Sequence, residues 1–178
     1  MNKPLLSVIC LSIFFGLLVQ PVFCAEKSSR YVTLRYRDKK LLNEFNDQLI
    51  LTRRLAYSLR RKNPLTAREE VLAKVDLIIE KAEIVLDMFP NNMHITVVLL
   101  PSSDEVSRVY KKKYGKEVDH IAYYSLSEDT IYISVRDARL RVLAHEVGHA
   151  IVDHYFKVRP PYNIHELMAQ FTEKHITD

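Results

Sequence analysis

The pentad His145-Glu146-Val147-Gly148-His149 constrains this chain more than any other feature. Its flanks, Val142, Leu143, Ala144, Ile151, Val152, Tyr155 and Phe156, are apolar at the density of a helix packed into a core. On a helix, two histidines four positions apart lie one turn apart on one face, so both imidazoles reach a single metal ion. Glu146 then sits beside that ion, where a carboxylate takes a proton from an attacking water. A catalytic zinc ion needs neutral nitrogen ligands, a third protein ligand and one open position. Whatever else this chain folds into, it must bring a second element across this helix to supply that third ligand.

Downstream, His154, His165, Glu166, Glu173 and His175 are the candidates. The metzincin spacing HExxHxxGxxH fails, because Val152 and Tyr155 occupy its last two positions and His154 points off the metal face. Arg159-Pro160-Pro161 should end the HExxH helix near Lys157, and a last helix is expected from about Asn163 to the chain end. In it Ile164, Leu167, Met168 and Phe171 follow core spacing, and Glu166, Ala169, Gln170 and Glu173 form the adjacent stripe. The small Ala169 allows close approach to the HExxH helix. Glu166 is therefore the best third ligand, and Gln170 one turn later is placed to hydrogen-bond a ligating histidine.

Ahead of the pentad the periodicity alternates between strand and helix. Residues 26–30 read as a flexible polar leader, and Tyr31 to Arg37 alternates like a half-buried strand. One helix from Asp38 to Asn63-Pro64 and a second from Thr66 to Pro90 should form a helical hairpin, the second opened by a Thr66/Glu69 capping box. Met93 to Leu100 reads as a strand, and Ser102/Glu105 as the start of a short helix closing at Gly115. His120 to Ser125 and Thr130 to Val135 should pair as a hairpin. Asp137 is the expected cap of the HExxH helix. The fold class is α+β in a single domain over residues 31–178, with the helical hairpin leading a small mixed sheet.

Residues 1–24 are expected to be a signal peptide: Lys3, the apolar run Leu5 to Val19, then Gln20-Pro21 and small residues near Cys24-Ala25. Cleavage there removes both cysteines, Cys10 and Cys24, and leaves an exported chain, periplasmic or secreted, without disulfides. A membrane is then met only through an uncleaved leader. The net charge of +4 invites nucleic acid as a partner. Over the whole chain, however, the basic residues (Arg53, Arg54, Arg60, Arg61, Lys62, Lys111 to Lys113) are interleaved with acids, and no nucleic-acid-binding signature accompanies them, so no nucleic-acid partner is expected.

With HExxH on one helix and a glutamate opening Glu166-Leu-Met-Ala-Gln170 on the next, the chain resembles the gluzincin zinc metallopeptidases, in particular their peptidase-MA-like members. The resemblance runs from about His94 to Phe171 and takes in Thr130-Ile-Tyr-Ile-Ser-Val135 as the edge-strand candidate. It implies a minimal zincin-like domain that binds Zn2+ through His145, His149 and Glu166, with Glu146 as general base. A protein or peptide substrate would lie extended along Thr130 to Val135. For the oxyanion, Tyr155, Tyr162, His165 and His175 are all available, and Tyr162, between the two metal helices, is preferred. Two departures stand out: Gln170 occupies a position where many gluzincins carry an acid, and little chain follows Glu166 to form the usual second lobe. The expected activity is zinc-dependent peptide hydrolysis. The alternative is a non-enzymatic exported module that keeps zinc for structure or for binding a partner; a third possibility is that the helical hairpin at 39–89, or a partner subunit, replaces the missing lobe as a cleft wall.

Overall fold

A computed structural model describes residues 25–178. The expected signal peptide lies outside the described residues. The chain is a mixed α/β fold of six helices and one five-stranded sheet with strand order β1-β2-β3-β5-β4. Its strands are β1 Ala25–Ser28, β2 Val32–Tyr36, β3 Ile95–Leu100, β4 Ala122–Ser125 and β5 Thr130–Ser134. The central β2, β3 and β5 run parallel, and the two outer strands pair antiparallel to their neighbours. This α+β architecture agrees with the expected class. No helix of the described residues is long and apolar enough to cross a membrane.

Alternation along the strands sorts side chains to two faces. Val97 and Leu99 of β3 enter the main core beneath the helical layer, whereas Val98 and Leu100 meet Val106 and Tyr123 on the opposite face. Helix α4 (Ser103–Tyr114) covers that second face; α1 (Lys39–Gln48), α2 (Arg53–Lys62), α3 (Ala67–Leu86), α5 (Leu140–Tyr155) and α6 (Tyr162–His175) make up the helical layer of the first. The three helices α1–α3 form the crossover that lets β3 run parallel to β2.

Several local expectations need correction. The leader begins with a strand: β1 pairs with β2, tied by a Glu26–Arg35 ion pair across the ladder and a Ser28–Thr33 hydroxyl contact. Its polar side chains look like a linker because its outer edge is exposed. The helix expected from Asp38 to Asn63 breaks after Gln48, because Thr52 accepts from the Leu55 amide and caps a new helix. Asp38 caps α1 as expected, and Thr66 caps α3. The Ser102 side chain makes no capping bond. Asp137 does not cap α5; it accepts from the Ser134 hydroxyl at 2.6 Å, and Arg139 takes the cap position.

The expected edge strand is also wrong. Thr130–Ser134 lies between β3 and β4, hydrogen-bonded on both sides, and the strand at that margin of the sheet is β4. The hairpin partner, not the strand richer in β-branched residues, is the one left outside.

Candidate metal centre

Helix α5 is buried over most of its length between the sheet, α3 and α6. At its midpoint Gly148 meets α6: a Cβ built there would lie 2.9 Å from the Ala169 Cα and 2.9 Å from Thr172 Oγ1. Only a glycine permits this crossing, and Ala169, fully buried, is the small residue facing it. The face of α6 that α5 covers is His165, Ala169 and Thr172. Leu167 and Phe171, expected in the core, are 57% and 45% exposed. The expected adjacent stripe keeps its consequence, because the crossing leaves Glu166 beside the HExxH histidines.

His145 Nε2 lies 3.7 Å from Glu166 Oε1, and His149 Nε2 lies 3.5 Å from Glu166 Oε2. One ligand atom from each of these three residues falls within a single 4.8 Å group. With zinc bonds near 2.1 Å, tetrahedral ligand atoms stand about 3.4 Å apart, so the spacing suits such an ion.

The remaining imidazole nitrogens are also engaged. His145 Nδ1 lies 3.1 Å from the Glu173 carboxylate. A carboxylate only accepts, so in the neutral ring Nδ1 carries the proton and the Nε2 lone pair faces Glu166. His149 Nδ1 lies 3.3 Å from His165 Nδ1. Burial first, and then the proximity of a second imidazole at His145, push His149 down to about 4, so its ring is neutral at neutral pH. If His149 donates from Nδ1, its Nε2 lone pair also faces Glu166, and the proton on His165 sits at the buried, unpartnered Nε2. With the rings in these tautomers, two nitrogen lone pairs and a carboxylate converge, and a divalent cation complements that set.

Glu146 follows His145 on the helix but turns toward the sheet. It is 8% exposed and accepts from the Tyr124 backbone amide of β4. Burial first, and then the Glu166 and Glu173 carboxylates, push it up to about 8 against the pull of that amide. It lines the same cleft as His145, His149 and Glu166, a cavity of about 720 Å³ walled by β4, the end of α4, the loop before α6 and the start of α6. Tyr110, Tyr114 and Tyr123 pack as an aromatic group on one side of this cleft, with ring centroids 4.6 to 6.4 Å apart.

Tyr162, the first residue of α6, also lines the cleft and is 79% exposed. The Glu166 charge beside it, helped by slight burial, holds its phenol above the usual range. Among the other oxyanion candidates, Tyr155 packs against Phe156, and His175 packs at a tilt against Phe171 and pairs with Asp178. His165 lines the cleft but is 4% exposed and turned to His149. His154 pairs with Asp129 at 2.8 Å, away from the metal residues.

Two partners differ from expectation. Gln170 does not reach a histidine; its amide donates to Glu166 Oε1 at 2.9 Å. The group on His145 is Glu173, one turn further along the same stripe. The signal for it was present, since Glu166, Gln170 and Glu173 share one side of α6, but the choice between them depends on the crossing angle of two helices. No protein-family profile, curated protein or solved structure matches the chain.

Proposed function

We propose that this chain is a zinc-dependent peptidase of the gluzincin type on a minimal zincin-like domain. His145, His149 and Glu166 hold the zinc, and Glu146 is the general base. The observation that carries this reading is the convergence of two imidazole nitrogens and one carboxylate beside a buried glutamate on the wall of an open cleft. Zinc bound there supplies Lewis acidity, polarising a scissile carbonyl and lowering the pKa of a water to about 7.

The chain's own groups do the rest. Glu146 takes the proton of the attacking water and passes it to the leaving amine; its burial raises its proton affinity and so suits it to that transfer. Glu173 and His165 hold the two rings with Nε2 turned inward. An extended substrate aligns on the outer edge of β4, which borders the cleft and pairs with β5 on its other side. Tyr162 presents its phenol to the developing oxyanion from the opposite wall. The signal-like N-terminus makes this an exported activity on proteins or peptides.

Glu146→Gln tests the reading. The variant is expected to retain one zinc per chain while hydrolysis of an unfolded protein falls by about 10² to 10⁴-fold. Undiminished turnover removes Glu146 from the chemistry. Zinc bound stoichiometrically by a wild-type chain that cleaves nothing favours the non-catalytic module instead.

A further inference from the structure

Away from the cleft, the most one-sided surface is that of α2. Leu55 and Leu59 turn to the core, and the opposite face carries Arg53, Arg54, Tyr57, Arg60 and Arg61 at helical spacing, all exposed. The acids that interleave the basic residues over the chain as a whole are absent here: from Leu51 to Arg68 there are six cations and no carboxylate. Among the described residues none of these four guanidiniums forms an ion pair. Two acids that share a small pocket with this helix pair with residues other than these arginines, Glu80 with Lys62 at the end of α2 and Asp178 with His175.

Apolar side chains accompany the charge. Tyr57, at the centre of the face, is 59% exposed with the Arg60 guanidinium 5.8 Å from its ring centroid. Ile50 before the helix and Leu65 after it are 75% and 83% exposed. A helix about 15 Å long thus shows four arginines around a tyrosine, with a bare aliphatic residue beyond each end. Within the chain this is unfavourable twice over, since like charges crowd one face and apolar surface stays in water.

We infer that this face docks on an anionic phospholipid surface. Guanidiniums bind phosphate oxygens in a bidentate fork, and Tyr, Ile and Leu are suited to the boundary between headgroups and acyl chains. A nucleic acid or an acidic polypeptide would neutralise the arginines but leave Ile50 and Leu65 hydrated, so the lipid surface is the better complement. This adds a membrane contact where the sequence suggested one only through an uncleaved leader. It is independent of the peptidase reading, because α2 contributes no residue to the cleft.

The test is co-sedimentation of the full chain with vesicles of phosphatidylcholine, alone or with a third phosphatidylglycerol. The neutral vesicles report any contribution of the apolar N-terminal segment. Binding is expected to be at least about tenfold stronger to the anionic vesicles, and R53E/R54E/R60E/R61E should abolish that difference. I50S/Y57S/L65S should weaken it with all charges in place, and K27E/K39E/K112E/K116E, which changes net charge equally, should retain it. Circular dichroism establishes that each variant is folded, and R53Q/R54Q/R60Q/R61Q replaces the reversal if that one is not. Equal binding to both vesicle types overturns the inference. So does an equal loss in the lysine variant, or release from anionic vesicles by duplex DNA or polyglutamate at matched charge.

Discussion

In the proposed zinc site, each side chain offered as a ligand owes its usefulness to a neighbour. A histidine binds a metal only as a neutral ring with the correct nitrogen free, and Glu173 sets this for His145 by accepting a hydrogen bond from its Nδ1–H. Glu166 is steadied in turn by the Gln170 amide. These roles predict a graded series. Glu166→Ala should lose most zinc affinity because a ligand is gone, whereas Glu173→Ala should weaken binding by about 10 to 100-fold. Glu173→Gln, which keeps an acceptor oxygen at the same reach, should fall between Glu173→Ala and the wild type. Competition with a chromophoric chelator at constant pH measures all three; equal affinity in Glu173→Ala and wild type would remove it from the site.

Between elements, the decisive contact is the crossing of α5 and α6 at Gly148. In most helix interiors Gly→Ala gains up to about 1 kcal/mol of helix propensity. Here the added methyl meets the Ala169 backbone at 2.9 Å, which no rotamer change relieves, so the overpacking cost of about 1 to 3 kcal/mol wins. Gly148→Ala should therefore lower the denaturation midpoint and also weaken zinc binding, because α6 carries Glu166. Adding Thr172→Ala removes the Oγ1 clash but not the backbone one, and should rescue only in part. A Gly148→Ala protein as stable as wild type would contradict the crossing geometry. The break in α1–α2 has a similarly local cause in the Thr52 cap. The identity of the edge strand does not, since it depends on which pairs of strands find each other.

At the scale of the whole molecule, an ionic network ties the rim of the cleft together. Tyr124 of β4 approaches Asp129 in the turn and Asp153 on α5, His154 pairs with Asp129, and Arg159 in the loop before α6 pairs with Asp153. The bond to Asp129 raises His154 above its ordinary range. Burial pushes Asp129 up, but the bonds from His154 and Tyr124 outweigh it and hold it below the usual carboxylate range. The signs give a window. Asp129 contributes stability above its unfolded pKa near 3.9, lost as pH falls through the lower folded value. His154 contributes below its unfolded pKa near 6.5, lost as pH rises through the higher folded value. The pair is therefore strongest between about pH 4 and 6.5. Asp129→Asn tests this cleanly, because asparagine tolerates the left-handed backbone at that position (φ 51°) and still accepts from Tyr124. The difference in Tm between wild type and variant should be largest near pH 5.5 and shrink toward pH 9; a difference independent of pH would exclude the ion pair. Both groups are partly exposed, so the effect should stay below about 1 kcal/mol.

The sequence by itself determined what helical periodicity and short-range chemistry determine. One turn of helix places His145 and His149 together wherever α5 lies, and the stripe on α6 singled out Glu166 and the small Ala169 before any neighbour was known. The capping roles of Asp38 and Thr66 were legible for the same reason, since each acts within four residues. Only the tertiary structure decided that β4, not Thr130–Ser134, forms the sheet margin beside the cleft, because strand order is set by pairing between segments distant in sequence. It also decided which side of α6 is buried. Leu167 and Phe171 are more apolar than His165 and Thr172, yet the close approach at Gly148 rewards small size over apolarity. The two histidine partners follow from that crossing: a periodic pattern names a face, and only packing says what the face meets.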